Sequence, residues 1–164
     1  MTREQCIEQD LTGTFPFLEG AVRIQRPRRM FVDVPREHFG AVFEYLARES
    51  GFTILCAITG LDQGGMLAAL YHLAQETGIV LTVTVAVPKE APVLPTVTGY
   101  FPAADAYERE MVDLLGMDVV GLPPGPRYPL PDDWPAGEYP LRKDWRSPEE
   151  APLPEAEKEL PDAD

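Results

Sequence analysis

TGYFPAADAYEREMVDLLGMDVVGLPPGPRYPLPDDWPAGEYPLRKDW, residues 98–145, joins two segments of opposite character. The first predicts a short amphipathic helix. Pro102 breaks whatever precedes it, and Asp105 followed three residues later by Glu108 has capping-box spacing, with Asp in the usual Ser or Thr position. Tyr107, Met111, Leu114 and Leu115 recur at i, i+4, i+7 and i+8, so one face is apolar. Glu108, Arg109, Glu110 and Asp113 fill the other face, where Arg109 and Asp113 have ion-pair spacing, and Gly116 suits a left-handed stop. The second segment carries seven prolines between Gly121 and Trp145, and can hold neither helix nor central strand.

A proline-rich segment that keeps Leu122, Tyr128, Leu130, Trp134, Tyr139, Leu141 and Trp145 must lay them on something. Proline lowers the entropy lost on ordering, so such an arm can be fixed by side-chain docking alone. Arg142 and Lys143, flanked by Leu141 and Trp145, fit two readings. Either they bridge to a partner's carboxylates while the aromatic anchors, or the arm is solvated with its aromatics packed on its own domain.

The combination YERE, DLLG, a proline-rich turn with Arg127, LPDDWP and PLRKDW resembles the 30-kilodalton subunit family of respiratory complex I, the NADH-quinone oxidoreductase. That family's relatives are accessory subunits of membrane-bound, energy-converting NiFe hydrogenases and formate hydrogenlyases. The resemblance spans residues 20–145. It departs at Leu115, where the family usually has an aromatic, and at Leu122, where it usually has His. The resemblance implies an α+β fold with a mostly antiparallel sheet, helices on one face and an extended C-terminal arm. It implies a scaffolding subunit docked on the large subunit of complex I, or on the NiFe catalytic subunit of a hydrogenase, with the cluster-bearing small subunit near. The residues expected to meet the partner are Tyr107, Glu108, Arg109, Glu110, Asp113, Arg127, Tyr128, Leu130, Trp134, Leu141, Arg142, Lys143 and Trp145. A free-standing adaptor or assembly factor of the same fold is the alternative.

Composition narrows the partners. A formal charge of −13 over 164 residues argues against nucleic acid, whose phosphates need Lys and Arg, and against a polybasic membrane anchor. No apolar run approaches the roughly 20 residues of a spanning helix, and the N-terminus lacks a signal peptide's apolar core. The expected location is cytoplasmic, peripheral to a membrane through another subunit. Cys6 and Cys56 are the two cysteines, far apart, so an ordinary four-cysteine iron–sulfur cluster cannot be built. A zinc site would need both to converge with His38 and His72. No cofactor is expected. The sequence also offers no nucleophile–base pair and no phosphate loop, so the acids of the YERE helix are not read as catalytic.

From the N-terminus, a short helix is expected near Glu4 to Leu11, then a hairpin from 21–25 and 30–34 around Arg26, Pro27, Arg28 and Arg29. Arg23, Arg26, Arg28 and Arg29 form the only basic cluster, either a solvated turn or a contact to acids of a partner or of the chain itself. Residues 35–49 predict a helix with Phe39, Val42, Phe43 and Leu46 on one stripe and His38 exposed. Residues 52–59 predict a buried strand in which Cys56 is a small core residue. Residues 66–76 are helical by propensity, but the resemblance and the alternation of Leu67, Ala69, Tyr71 and Leu73 favour a strand, with 62–65 as the preceding loop. His72 is then expected as a packed sheet residue. Residues 79–87 are a strand, and 96–100 a short edge strand. The chain thus divides into a domain (1–120), an arm (121–145) and an acidic, disordered tail (146–164) with seven acids against two bases.

Overall fold

Alternation decides the sheet. In the computed structural model, which describes residues 1–147, β1 (Val22–Arg26), β2 (Arg29–Asp33), β3 (Ile54–Asp62), β4 (Met66–Ala74) and β5 (Val80–Pro88) form one five-stranded sheet. The order is β1-β2-β5-β4-β3, antiparallel throughout except where β2 lies parallel to β5. Of the segment 66–76, Met66–Ala74 is a strand, as the resemblance and the alternation favour. Helix propensity there loses to two flanking ladders and to the burial of Leu67, Ala69, Tyr71 and Leu73.

Three helices cover one face of this sheet. α1 (Arg3–Thr14) is closed by a capping box between Thr2 and Gln5, and buries Ile7 and Leu11. α2 (Phe39–Arg48) follows a single 3-10 turn at Arg36–His38, and its Phe39 and Phe43 rings sit 5.0 and 5.3 Å from Tyr71 of β4. α3 (Ala104–Leu115) lies against β3, so close that a Cβ at Gly60 would collide with Leu115. It forms the crossover between β6 (Val93–Pro95) and β7 (Asp118–Val120), a parallel pair outside the main sheet. The other face carries Arg23, Phe31, Thr82, His72 and Thr59, with no helix over it among the described residues; Arg23 and Thr59 are exposed, Phe31 and His72 half-buried and Thr82 buried.

Several expectations change. The strand expected as buried at 52–59 begins at Ile54 and is mostly exposed or half-buried. β3 is the sheet edge, it runs on to Asp62, and a bulge between Leu55 and Ala57 leaves Cys56 exposed rather than in the core. Asp62 is therefore a buried strand residue, not part of a loop. The short strand expected at 96–100 lies earlier, at Val93–Pro95, because Tyr100 and Phe101 turn back onto the carbonyl of Val97 to start α3. The first helix extends beyond the expected span. His38 is exposed and stacks 4.1 Å from Phe17, and His72 packs between two threonines, its Nδ1 2.8 Å from Thr82 Oγ1 and its Nε2 3.3 Å from Thr59 Oγ1. The expected acidic tail lies, but for residues 146 and 147, outside the described residues.

Candidate partner-docking site

Every proline in 121–145 lacks an N–H but still has a carbonyl that needs a donor, and no strand runs alongside to supply one. Arginine meets that need with five N–H groups in a rigid fork. α3 places its charges accordingly. Arg109 holds Asp105, one turn earlier, at 2.8 and 2.9 Å. The same guanidinium then donates to the carbonyl oxygens of Pro123 (2.6 Å) and Pro126 (3.4 Å). Asp113 is buried, accepting from Arg127 Nε at 2.7 Å and from the Leu130 amide at 2.9 Å, while Arg127 also donates to Trp134 O.

At the end of α3, Gly116 takes the left-handed conformation (φ 68°), and the Tyr139 ring lies on it where a Cβ would stand. Arg142 stacks on Tyr139 at 4.5 Å and donates to the free carbonyls of Leu115 (2.7 Å) and Gly116 (3.5 Å). The Leu141 amide donates to Leu114 O. Farther along, Asp62 accepts from the Lys143 amide (2.8 Å), the Gly64 amide (2.7 Å) and Lys89 Nζ (2.9 Å), and Lys89 also reaches Asp144. The Lys89 ammonium and these amides hold the Asp62 carboxyl well below the usual carboxylate range. Trp134 and Trp145 lie 6.0 Å apart, both indoles donating to Glu138.

Glu108 works in the other direction. It is fully buried, accepting from the Val97 amide at 2.7 Å and the Thr96 hydroxyl at 2.5 Å, and so ties the turn after β6 to α3. Burial raises its pKa despite those two bonds, and burial with the Glu108 charge beside it raises the Tyr71 phenol.

These contacts correct the polar-face reading of α3. Glu108 and Asp113 are buried, Arg109 pairs with Asp105 instead of Asp113, and the capping box at Asp105 is not formed, since the N-cap is Ala103, with no side-chain cap. Glu108, Arg109, Asp113, Arg127 and Arg142 all bond within the chain. Tyr107 stands apart, its hydroxyl 3.4 Å from Cys56 O on the edge strand.

The rest face outward. Glu110 and the Lys143 side chain make no hydrogen bond or ion pair among the described residues, and Tyr128 and Leu141 are 50% and 53% exposed. Leu130, Trp134 and Trp145 are half-buried. Beside Leu141 runs a groove of about 190 Å³ between β3 and α3, lined by Ile58, Gly60, Glu110, Met111 and Leu114. Sequence reasoning missed Asp62, Lys89 and Glu138, which anchor the arm from outside any motif, and named Tyr139 only as a large group in need of a surface. No spacing signals Asp62 or Lys89, because the Lys143 amide lies 81 residues from Asp62 and Asp144 lies 55 residues from Lys89. Among the described residues no group of three or more His, Cys, Asp or Glu side chains could hold a metal.

Residues 32–151 match the family described as the respiratory-chain NADH dehydrogenase, 30 Kd subunit. The chain belongs to this family. Within its wider circle, the chain is 34% identical to a subunit of the F(420)H(2) dehydrogenase of Methanosarcina mazei, over 80% of this chain and 87% of that one. It is 31% identical to membrane-bound hydrogenase subunit beta of Pyrococcus furiosus, over 84% and 83%. A chain in the structure of the membrane-bound sulfane sulfur reductase, an archaeal respiratory membrane complex, superposes with a TM-score of 0.76 at 28% identity, over 90% of this chain and 88% of that one. A place as one subunit of a multi-subunit redox complex follows from membership of the 30 Kd subunit family. No helix among the described residues is long and apolar enough to cross a membrane.

Proposed function

We propose that this chain is a cofactor-free scaffold subunit of a membrane-associated electron-transfer complex, peripheral on the cytoplasmic side, whose arm docks on the large subunit beside the cluster-bearing small subunit. One observation carries the reading. Arg109, Asp113, Arg127 and Arg142 are spent on bonds within the chain, largely to backbone atoms, while Leu141 stays exposed beside the groove between β3 and α3 and Tyr128 stays exposed elsewhere on the arm. An arm already fixed in shape loses little entropy on docking, so its exposed groups convert efficiently into affinity. The scaffold role follows from that rigidity: a stiff bridge keeps cofactor-bearing neighbours at fixed electron-transfer distances.

The contact set narrows accordingly to Glu110, Tyr128, Leu141 and Lys143, the members of the candidate set with unspent side chains. Truncating a well-packed anchor typically costs ~2 kcal/mol, roughly a thirtyfold loss of affinity. With the tagged full chain expressed in its native cells, Leu141→Asp or Glu110→Lys should abolish co-purification of the large subunit and leave the melting temperature unchanged. Co-purification of both variants at native stoichiometry would sink this reading, as would stoichiometric iron in the isolated chain.

A further inference from the structure

Away from the arm, the other face of the sheet holds two guanidinium groups stacked on one ring. Arg23 lies opposite Phe31 in the β1–β2 ladder, and Arg29 lies two residues before it on the same face. Their Cζ atoms sit 5.2 and 4.7 Å from the centroid of that one ring. Neither makes a hydrogen bond or ion pair among the described residues. Asp33, two positions along β2, pairs with neither. The chain has 27 acids for 14 Lys and Arg, so carboxylates are not scarce.

Cation–π stacking holds both groups over the ring and uses none of their N–H donors. Two like charges around one ring repel each other, and an anion between them would relieve that repulsion. The hairpin that presents them is held in place: Arg28, at φ 63°, donates its amide to Glu4 of α1 at 2.7 Å. On the same face a cross-strand row runs from Phe31 through buried Thr82 to half-buried His72.

We infer that Arg23, Arg29 and Phe31 form a second docking surface, which takes a short carboxylate-bearing segment of a partner protein, with an aliphatic side chain seated beside Phe31. The net charge selects this occupant over other anions. At −13 the chain repels extended polyanions such as nucleic acid or an anionic membrane, while a compact acidic motif engages the arginines at close range. A carboxylate shared by the two forks gains charge-assisted, bidentate hydrogen bonds. The surface rests on the subunit reading only for where that segment comes from.

Two experiments on the full chain test it. The first titrates the peptide acetyl-Leu-Glu-Ile-Glu-Leu-amide against its Gln counterpart, following the Arg Nε–H and Phe31 ring signals by NMR. The Glu peptide should shift Arg23, Arg29 and Phe31, the Gln peptide should not, and Arg23→Gln with Arg29→Gln should weaken binding about tenfold or more with the fold intact by circular dichroism. Equal shifts from both peptides, none from either, or the same shifts from phosphatidylglycerol vesicles would overturn the assignment. This holds even if the chain joins no complex, so failure here is separable from failure of the arm reading. The second places p-benzoylphenylalanine at position 31 in the native complex. A cross-link to an acid-rich segment of another subunit supports the surface, and one to residues 148–164 of the chain itself, or to a basic segment, overturns it.

Discussion

The sheet under α2 and the arm on α3 are built in opposite senses. Around Tyr71 the chain buries Phe39, Phe43, Leu67, Leu73, Leu81 and Val83 and turns its polar groups outward. At the arm, Asp62 and Asp113 of the domain and Arg127 and Arg142 of the arm itself bond to backbone atoms, and Tyr128 and Leu141 point out. The cause is proline. A segment that cannot form ladders must satisfy its carbonyls and its few amides with side chains, and Arg and Asp are the side chains able to do so. The apolar groups left over are then free for another surface.

Mutations should separate the two regimes. Phe43→Ala removes a ring that touches Phe39, Tyr71, Tyr100 and Phe101, and should cost about 3–5 kcal/mol, read as a lower midpoint in one cooperative denaturant transition. Asp113→Ala strands the Arg127 guanidinium and the Leu130 amide, at a cost of order 2–3 kcal/mol, but it should act locally. Limited proteolysis should cut within 121–145 while the sheet's amides stay protected from exchange. Asp62→Asn should free the far end of the arm in the same way, through Lys143. One global transition for all three would mean that arm and sheet fold as a unit, and the contrast would collapse.

The same contrast explains what could be read from the sequence. Apolar periodicity located β5 and α2, because burial alternates there with the period of the element, and it located β4 only with the help of the resemblance. It misread Cys56, since an apolar run looks the same on an edge strand as on a central one. It also misread Glu108 and Asp113, because periodicity assigns charged residues to water and cannot see a distant backbone amide waiting for an acceptor. The resemblance marked α3 and the arm as important without saying whether their charges serve the chain or its partner. Tyr139 on Gly116 and Lys143 on Asp62 needed coordinates.

Glu108 offers a sharper test, since it is a buried charge that holds a turn. Glu108→Gln keeps an oxygen for the Val97 amide and an amide for Thr96, so the change at pH 7 should stay within about 1 kcal/mol. Its pH dependence carries the information. Burial raises the folded pKa above the ordinary 4.5, so the folded state binds this proton more tightly than the unfolded one. The stability so gained is fully present below the unfolded pKa and is lost as pH rises through the folded pKa. Denaturation from pH 7 to 5 should therefore show the native protein gaining on the Gln variant. A constant difference would mean that Glu108 titrates as an exposed acid and that the turn is open to water.

The smallest effect is expected at Lys89, which touches two carboxylates of unlike setting. Its Asp62 partner has a side chain 2% exposed and also receives two backbone amides, whereas Asp144 is 70% exposed and offers this one ion pair. Lys89 lowers the pKa of both acids, so both contacts hold above the unfolded carboxylate range and fail only as pH falls through the depressed folded values. Solvent and salt screen the outer pair, and ordering two mobile side chains offsets what remains. Asp144→Asn should leave the midpoint of denaturation and the exchange protection of the Lys143 amide where they were, at low and at high salt. If it instead releases the arm as Asp62→Asn does, the anchor is the exposed pair, and the arm is held from its surface and not by carboxylates turned inward.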